Sequence, residues 1–177
     1  MLTLALLAWL TLSQTFPKEK RIIASSTTKN WAIFALVVLS IQITLGGWTS
    51  TNYVALHCYD LPTCQGEWLP PTDFEEGFKI WRGLGVDYEG GVLSVEAGTA
   101  VHLTHRIGAL ISLLVLGFLA FLLVRNKHNL LKRLAAILVL VLTAQITLGL
   151  LNIILVLPLA IAVAHNGVAA LLLLTLV

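Results

Sequence analysis

The stretch LAAILVLVLTAQITLGLLNIILVL at residues 134–157 has no charged residue and is long enough to cross a bilayer as a helix. Of the 177 residues, 58% are apolar and 11% are charged, with a mean hydropathy of +0.90, which excludes a soluble domain. The apolar runs are continuous and do not alternate with polar residues, as strands of a barrel would. An all-α integral membrane protein is therefore predicted, with further helices over about residues 2–16, 31–47, 107–124 and 159–177.

Charge is sorted along the chain in a way that predicts its orientation. Lys and Arg concentrate in two short loops, 17–29 and 125–133, whereas the segment 48–103 has eight acidic residues against two basic ones. Basic loops face the cytoplasm, so both short loops are predicted there and 48–103 on the opposite side of the lipid bilayer. The net charge of +2, divided in this way, offers no surface for nucleic acid.

The pentapeptide QITLG occurs at 42–46 and again, unchanged, at 145–149. Each copy precedes a helix with a histidine near the acidic face, so residues 30–177 are predicted to form a four-helix transmembrane bundle from two helical hairpins. The small residues of the repeat suit close helix packing. Gln42 and Gln145 either bond between helices or line a pocket.

The first residues look like part of another helix. The run 1–16 has no basic residues before it and no small-residue cleavage site, so a signal peptide fits poorly. We interpret 1–16 as the end of a truncated helix from a missing first half, and 17–29 as a cytoplasmic linker.

Two histidines, His105 and His165, lie at one depth in different apolar segments, where ligating side chains indicate function. A haem between two imidazoles is the first interpretation, with Arg106 placed to pair with its propionates and Gly108 and Gly167 clearing space beside each ligand. Either histidine could instead be an interfacial residue bonded to a carbonyl or a lipid head group. Zinc is weaker, because too few further ligands share this depth.

The other histidines have less specific interpretations. His102, three residues before His105, could support the ligand, carry protons or be a plain interfacial residue. His57 and His128 are expected to be solvated and uninvolved.

Cys58 and Cys64, the only cysteines, fall in the segment predicted to face an oxidising compartment. A disulfide is favoured, and a reactive or redox-relay pair is the alternative. Further along, residues 72–75 read as a capping box, and Phe74, Phe78 and Trp81 follow at helical spacing. A short amphipathic helix is predicted there, either a lid over the bundle or an interfacial anchor.

Taken together, these residues resemble the carboxy-terminal half of a haem A synthase over about 48–170. The matching features are GGWTSTNY at 46–53, the cysteines at 58 and 64, PP at 70–71 through WR at 81–82, HR at 105–106 and AHNGVAA at 164–170.

The resemblance implies a specific chemistry. The family oxidises a methyl group of haem O to the formyl group of haem A, and its second half is thought to hold haem b for electron transfer. His105 and His165 match the axial ligands of that half. A Glu precedes the first histidine by three residues in the catalytic half, and His102 stands there in this chain, which indicates the cofactor half. This chain alone is then expected to be inactive.

The same resemblance implies a bacterial inner membrane protein with haem O as the substrate of the missing half. Haem O synthase and further copies of the chain are candidate partners. The alternative function is a di-histidine cytochrome b that only transfers electrons. A transporter, an assembly factor and a packing subunit are the remaining classes.

Overall fold

The computed structural model describes residues 7, 10, 11, 14, 24–83 and 89–177. These residues form no strands, which confirms the all-α prediction. The helices are α1 Ser26–Thr51, α2 Phe74–Gly77, α3 Val95–Val124, α4 Asn129–Ile154 and α5 Leu159–Leu174. By length and composition α1, α3 and α4 can each cross a membrane, and α5 is a shorter apolar helix. The helix predicted over 2–16 lies almost wholly outside the described residues.

The four long helices form a four-sided ring. Helix α1 packs on α3, α3 on α4, α4 on α5, and α5 returns to touch α1. Between the diagonal helices α3 and α5 no two Cα atoms lie within 8 Å, and the same holds for α1 and α4. The interior of the ring is therefore bounded by all four helices, and the two histidine-bearing helices face each other across it.

The apolar cluster shared by all four helices lies at one end of the ring, which we call the basic end because the loop 125–128 lies there. Buried side chains from all four helices meet at that end: Ala35, Leu39, Val115, Leu116, Leu119, Ala120, Leu138, Leu142, Leu172 and Leu173. The Trp31 indole N–H also donates to the carbonyl of Val115 at 3.1 Å, joining α1 to α3 there. Toward the opposite end, the loop end, every residue from 143 to 168 is exposed or half-buried. The second hairpin is thus tightly packed only toward the basic end.

Helix α3 begins at Val95, so the last residues of the predicted outer segment 48–103 are helical. Ser94 caps the helix, because its side chain accepts a hydrogen bond from the Ala97 N–H at 3.2 Å. The small residues that follow, among them Ala97 and Ala100, are fully buried under the outer segment. Hydropathy alone predicted an apolar run that begins only at about residue 107, more than one helical turn beyond His102 and well after the observed start at Val95.

The short helix α2 differs in detail from its prediction. Its N-cap is Asp73, whose carboxylate accepts from the Glu76 N–H at 2.9 Å, so the predicted capping box at 72–75 is displaced by one residue. The helix is a single turn. Its end is held against α1, because the Trp48 indole N–H donates to the Gly77 carbonyl at 2.9 Å.

Candidate functional site

The two histidines lie on the diagonal pair of helices. His105 is on α3 and His165 is on α5, and both rings are partly buried. Because α3 and α5 do not approach each other closely, there is space between the two helices that carry the imidazoles. The separation satisfies one geometric demand of a flat ligand between two helices, which needs more room than helices packed at about 8–10 Å provide.

Each QITLG copy contacts the histidine of its own hairpin. The Gln42 amide nitrogen lies 3.1 Å from His105 Nδ1 and donates to the His105 carbonyl oxygen at 3.0 Å. One turn further along α1, a Cβ added at Gly46 would lie 3.1 Å from His105 Cε1. The imidazole of His105 is therefore hydrogen-bonded to Gln42 and in close contact with Gly46.

The second copy repeats the arrangement. The Gln145 amide nitrogen lies 3.3 Å from His165 Nε2, and a Cβ added at Gly149 would lie 3.2 Å from His165 Cε1. We call these two units, Gln42 with Gly46 and Gln145 with Gly149, the Gln–Gly pairs. Their match shows that the sequence repeat is also a repeat of contacts, and it places both histidines at equivalent levels of their hairpins.

The two glycines predicted to clear space beside the ligands behave differently. A Cβ added at Gly108 would overlap the Gln42 carboxamide oxygen, so that space holds the Gln42 side chain and not an open surface. The prediction was wrong for Gly108, because hydropathy could not show how deeply the glutamine reaches into α3. Nothing lies within 4 Å of a Cβ added at Gly167, which is consistent with an open surface there.

Arg106 clasps the outer segment. Its guanidinium donates to the carbonyl of Thr63 at 3.0 Å and to that of Pro62 at 3.3 Å. These carbonyls belong to the loop closed by Cys58 and Cys64, which form the predicted disulfide. The arginine has five N–H donors, so two bonds to the loop leave others for an anionic group.

His102 is buried, with 4% of its surface exposed, and its Nδ1 accepts the Cys58 backbone N–H at 3.0 Å. It therefore anchors the disulfide loop to α3, a role the sequence did not reveal, since the partners are 44 residues apart. His57 was expected to be solvated, but its ring packs over Gly98 and is half-buried. His128 is exposed and caps α4, consistent with its predicted separation from the site.

Electrostatics reinforce the loop outside the membrane. The Thr63 hydroxyl donates to the Asp60 carboxylate, as do the backbone N–H groups of Gln65 at 2.6 Å and Gly66 at 3.0 Å. These bonds, the one from Thr63 foremost, hold the pKa of Asp60 below its ordinary value. Burial lowers the pKa of the nearby His57 imidazole, which favours its neutral form.

With this geometry established, comparison with known proteins identifies the family. The model of the cytochrome oxidase assembly protein family, COX15-CtaA, matches residues 1–177. The chain belongs to this family. Its sequence is also 46% identical over 164 residues to a protein named Heme A synthase from Shewanella oneidensis, an alignment that covers 90% of the chain. The chain spans about half of that relative's length, 49%. No solved structure matches the chain.

The helices of the candidate site contain polar atoms without a hydrogen-bond partner, and these bear on haem binding. The carboxamide oxygens of Gln42 and Gln145, His165 Nδ1 and Asn152 Oδ1 are buried without a hydrogen-bond partner. Buried polar groups are normally satisfied, so a group of such atoms within a membrane bundle fits a site built for a ligand with polar edges. Asn152 was missed from the sequence, although its spacing of seven from Gln145 places it on the same helix face.

The described residues contain no group of three or more His, Cys, Asp or Glu side chains able to hold a metal ion. A site that relies on two histidines alone suits an iron already held in a macrocycle, which supplies its remaining ligands. The residues present therefore fit a haem better than a bare ion.

Proposed function

We propose that this chain is the carboxy-terminal half of a haem A synthase and holds a haem b between His105 and His165. One observation carries the proposal. Two histidines on diagonal helices are each contacted by an identical Gln–Gly pair, at a level where the second hairpin has no buried residue. The separation of α3 and α5 and the buried polar atoms without a hydrogen-bond partner support the same assignment.

In this proposal the chain's own residues perform four tasks. His105 and His165 would each hold the haem iron through a ring nitrogen, and the Gln–Gly pairs would orient the two rings. Arg106 uses its remaining N–H donors to pair with the propionates while clasping the disulfide loop over the site. The bound haem supplies a one-electron redox centre.

The full-length protein would then oxidise the methyl group of haem O to the formyl group of haem A in its other half. The present half would exchange electrons with that reaction, and the chain by itself would not convert haem O. His102 supports this division, because it accepts the Cys58 N–H and stands where the catalytic half of the family has a Glu.

The proposed orientation places the loop end of the bundle in the periplasm of a bacterial inner membrane. The basic residues of 125–133 would face the cytoplasm and the disulfide loop the opposite, oxidising side. Labelling with a membrane-impermeant maleimide tests this orientation. Glu75→Cys should react in intact spheroplasts and Asn126→Cys only after lysis, and the reverse pattern would contradict it.

Extraction and chromatography of the bound haem test the assignment of the cofactor. The purified chain from cells that make haems B, O and A should yield one haem b per chain. Haem O should give no haem A with this chain under the conditions in which the full-length protein converts it. Well-folded chain that binds no haem, or binds only haem O, would contradict the proposal.

A further inference from the structure

We propose that Gln42 and Gln145 are positioning residues whose carboxamide oxygens accept hydrogen bonds from the two axial imidazoles. The inference rests on the proposed function, because it assigns a task to each glutamine only when its histidine binds iron. It goes further in naming the residues that set the orientation and basicity of both ligands.

The chemistry of the observed contact is the first step. An amide nitrogen only donates hydrogen bonds, so His105 Nδ1, 3.1 Å from the Gln42 amide nitrogen, acts as an acceptor. The proton of the neutral ring is then on Nε2. In the second hairpin the Gln145 amide nitrogen faces His165 Nε2 at 3.3 Å, and Nδ1 is the other ring nitrogen.

Ligation reverses this demand. A histidine that binds metal through one ring nitrogen carries its proton on the other and donates it to an acceptor, which fixes the ring and raises its basicity. The proton moves between the two nitrogens of one ring, so no proton is gained or lost. The nitrogen that faces the glutamine therefore changes from acceptor to donor.

Each glutamine already holds the acceptor that a ligated ring requires. The carboxamide oxygens of Gln42 and Gln145 are both buried and have no hydrogen-bond partner. A half-turn of the carboxamide exchanges its nitrogen for its oxygen and presents that oxygen to the ring N–H. In the first hairpin this turn also breaks the bond from the Gln42 N–H to the His105 carbonyl, so the Gln42 side chain must move away from that carbonyl. A glutamine that served only helix packing would be expected to use its oxygen, and in neither hairpin is it used.

The arrangement occurs once in each hairpin, although the ring nitrogen that faces the glutamine is Nδ1 in His105 and Nε2 in His165. The two glutamines lie on different helices, 103 positions apart in the sequence, and each has its glycine four residues further on. In both, the glycine lets the imidazole approach the helix backbone, so the ring is held at its Cε1 edge and by one nitrogen. The arrangement restricts both the position and the rotation of the ring.

The test compares variants that remove the acceptor with variants that keep it. Gln42→Met and Gln145→Met remove the oxygen at similar side-chain length, whereas Gln42→Glu and Gln145→Glu retain one. Loss of the acceptor makes the imidazole less basic and weakens ferric more than ferrous binding. We expect about a tenfold relative loss, which corresponds to about 59 mV upward in reduction potential. The reduction potential of the Glu variants should not rise.

The repeat also offers matched controls. Thr44 and Thr147 lie two residues beyond the glutamines, and each hydroxyl bonds only to a carbonyl of its own helix, at 2.9 Å. Thr44→Val and Thr147→Val should leave the reduction potential and the low-spin spectrum unchanged.

The outcomes separate this inference from the proposed function. Wild-type chain with no histidine-dependent low-spin haem overturns the proposed function itself. Haem-bound Met variants with wild-type potential, or Met and Glu variants shifted alike, overturn the inference alone. Where a Met variant fails to retain haem, its affinity for added haem is measured by titration instead of its reduction potential. Binding kept by Glu supports the inference, and binding lost by both overturns it.

Discussion

A single methyl group at Gly46 measures how closely the site depends on helix α1. The added Cβ of Gly46→Ala would lie 3.1 Å from Cε1 of His105 and 3.8 Å from its Nδ1. Carbon atoms prefer about 3.5–4.0 Å, so the imidazole must move by about 0.4 Å or more. Replacing Gly by Ala inside a helix gains about 1 kcal/mol, and overpacking costs about 1–3 kcal/mol. The net effect should range from about zero to about 2 kcal/mol of destabilisation.

The neighbouring glycine provides the control. Nothing lies within 4 Å of a Cβ added at Gly47, so Gly47→Ala should show only the helix gain of about 1 kcal/mol. Thermal unfolding in detergent, together with the haem content and α-band of each variant, separates the two effects. Gly46→Ala should be less stable than Gly47→Ala by about 1–3 kcal/mol and should bind haem more weakly. Equal stability and equal haem content in the two variants would refute the reasoning.

Three further substitutions test the surroundings of the site. Gly108→Ala should displace the Gln42 carboxamide, and the overpacking cost of about 1–3 kcal/mol less the helix gain of about 1 kcal/mol leaves about zero to 2 kcal/mol of destabilisation in thermal unfolding. His102→Leu should leave the buried Cys58 N–H without its acceptor, cost about 1–3 kcal/mol, and speed proteolysis of the disulfide loop. Because folding lowers the pKa of Asp60, the stability contributed by its carboxylate is lost as the pH falls below about 4. Asp60→Asn should remove that acid response from hydrogen exchange of the loop.

Each of these has its own control. Gly117→Ala adds a methyl group to the same helix with nothing within 4 Å, so equal stability of Gly117→Ala and Gly108→Ala would place Gln42 elsewhere. Thr104→Val alters only a bond to the Ala100 carbonyl and should leave the loop resistant to protease. A loop as resistant in His102→Leu would show that its anchor lies elsewhere. An acid response that persists in Asp60→Asn would assign it to another carboxylate.

The sequence was sufficient for the existence of the four apolar helices in the described residues and for the pairing of the repeat. Continuous apolar runs mark spans whatever their neighbours are, because the bilayer requires every backbone group to be satisfied within the helix. The identical QITLG copies indicated two equivalent hairpins, and the contacts of Gln42 and Gln145 with the histidines confirm the interhelical bonding that was one of the two roles left open for them. The candidate site lies among the few polar residues of these apolar helices.

The outer segment could not be predicted in the same way, because its path depends on contacts between distant residues. Cys58 meets His102 across 44 positions, and Arg106 meets Thr63 across 43. The first turns of α3 were missed for a related reason. Their small residues, such as Gly98, have little hydropathy and are buried by the loop that packs on them.

The reduced-minus-oxidised absorption spectrum of the purified chain tests the central claim most directly. Wild-type protein from haem-replete cells should show a sharp low-spin b-type α-band, and either His105→Ala or His165→Ala should weaken or abolish it. His128→Ala, which changes an exposed histidine far from the site, should leave the band intact. A band that survives both site substitutions, or folded wild-type chain with no band, would contradict haem ligation by these two histidines.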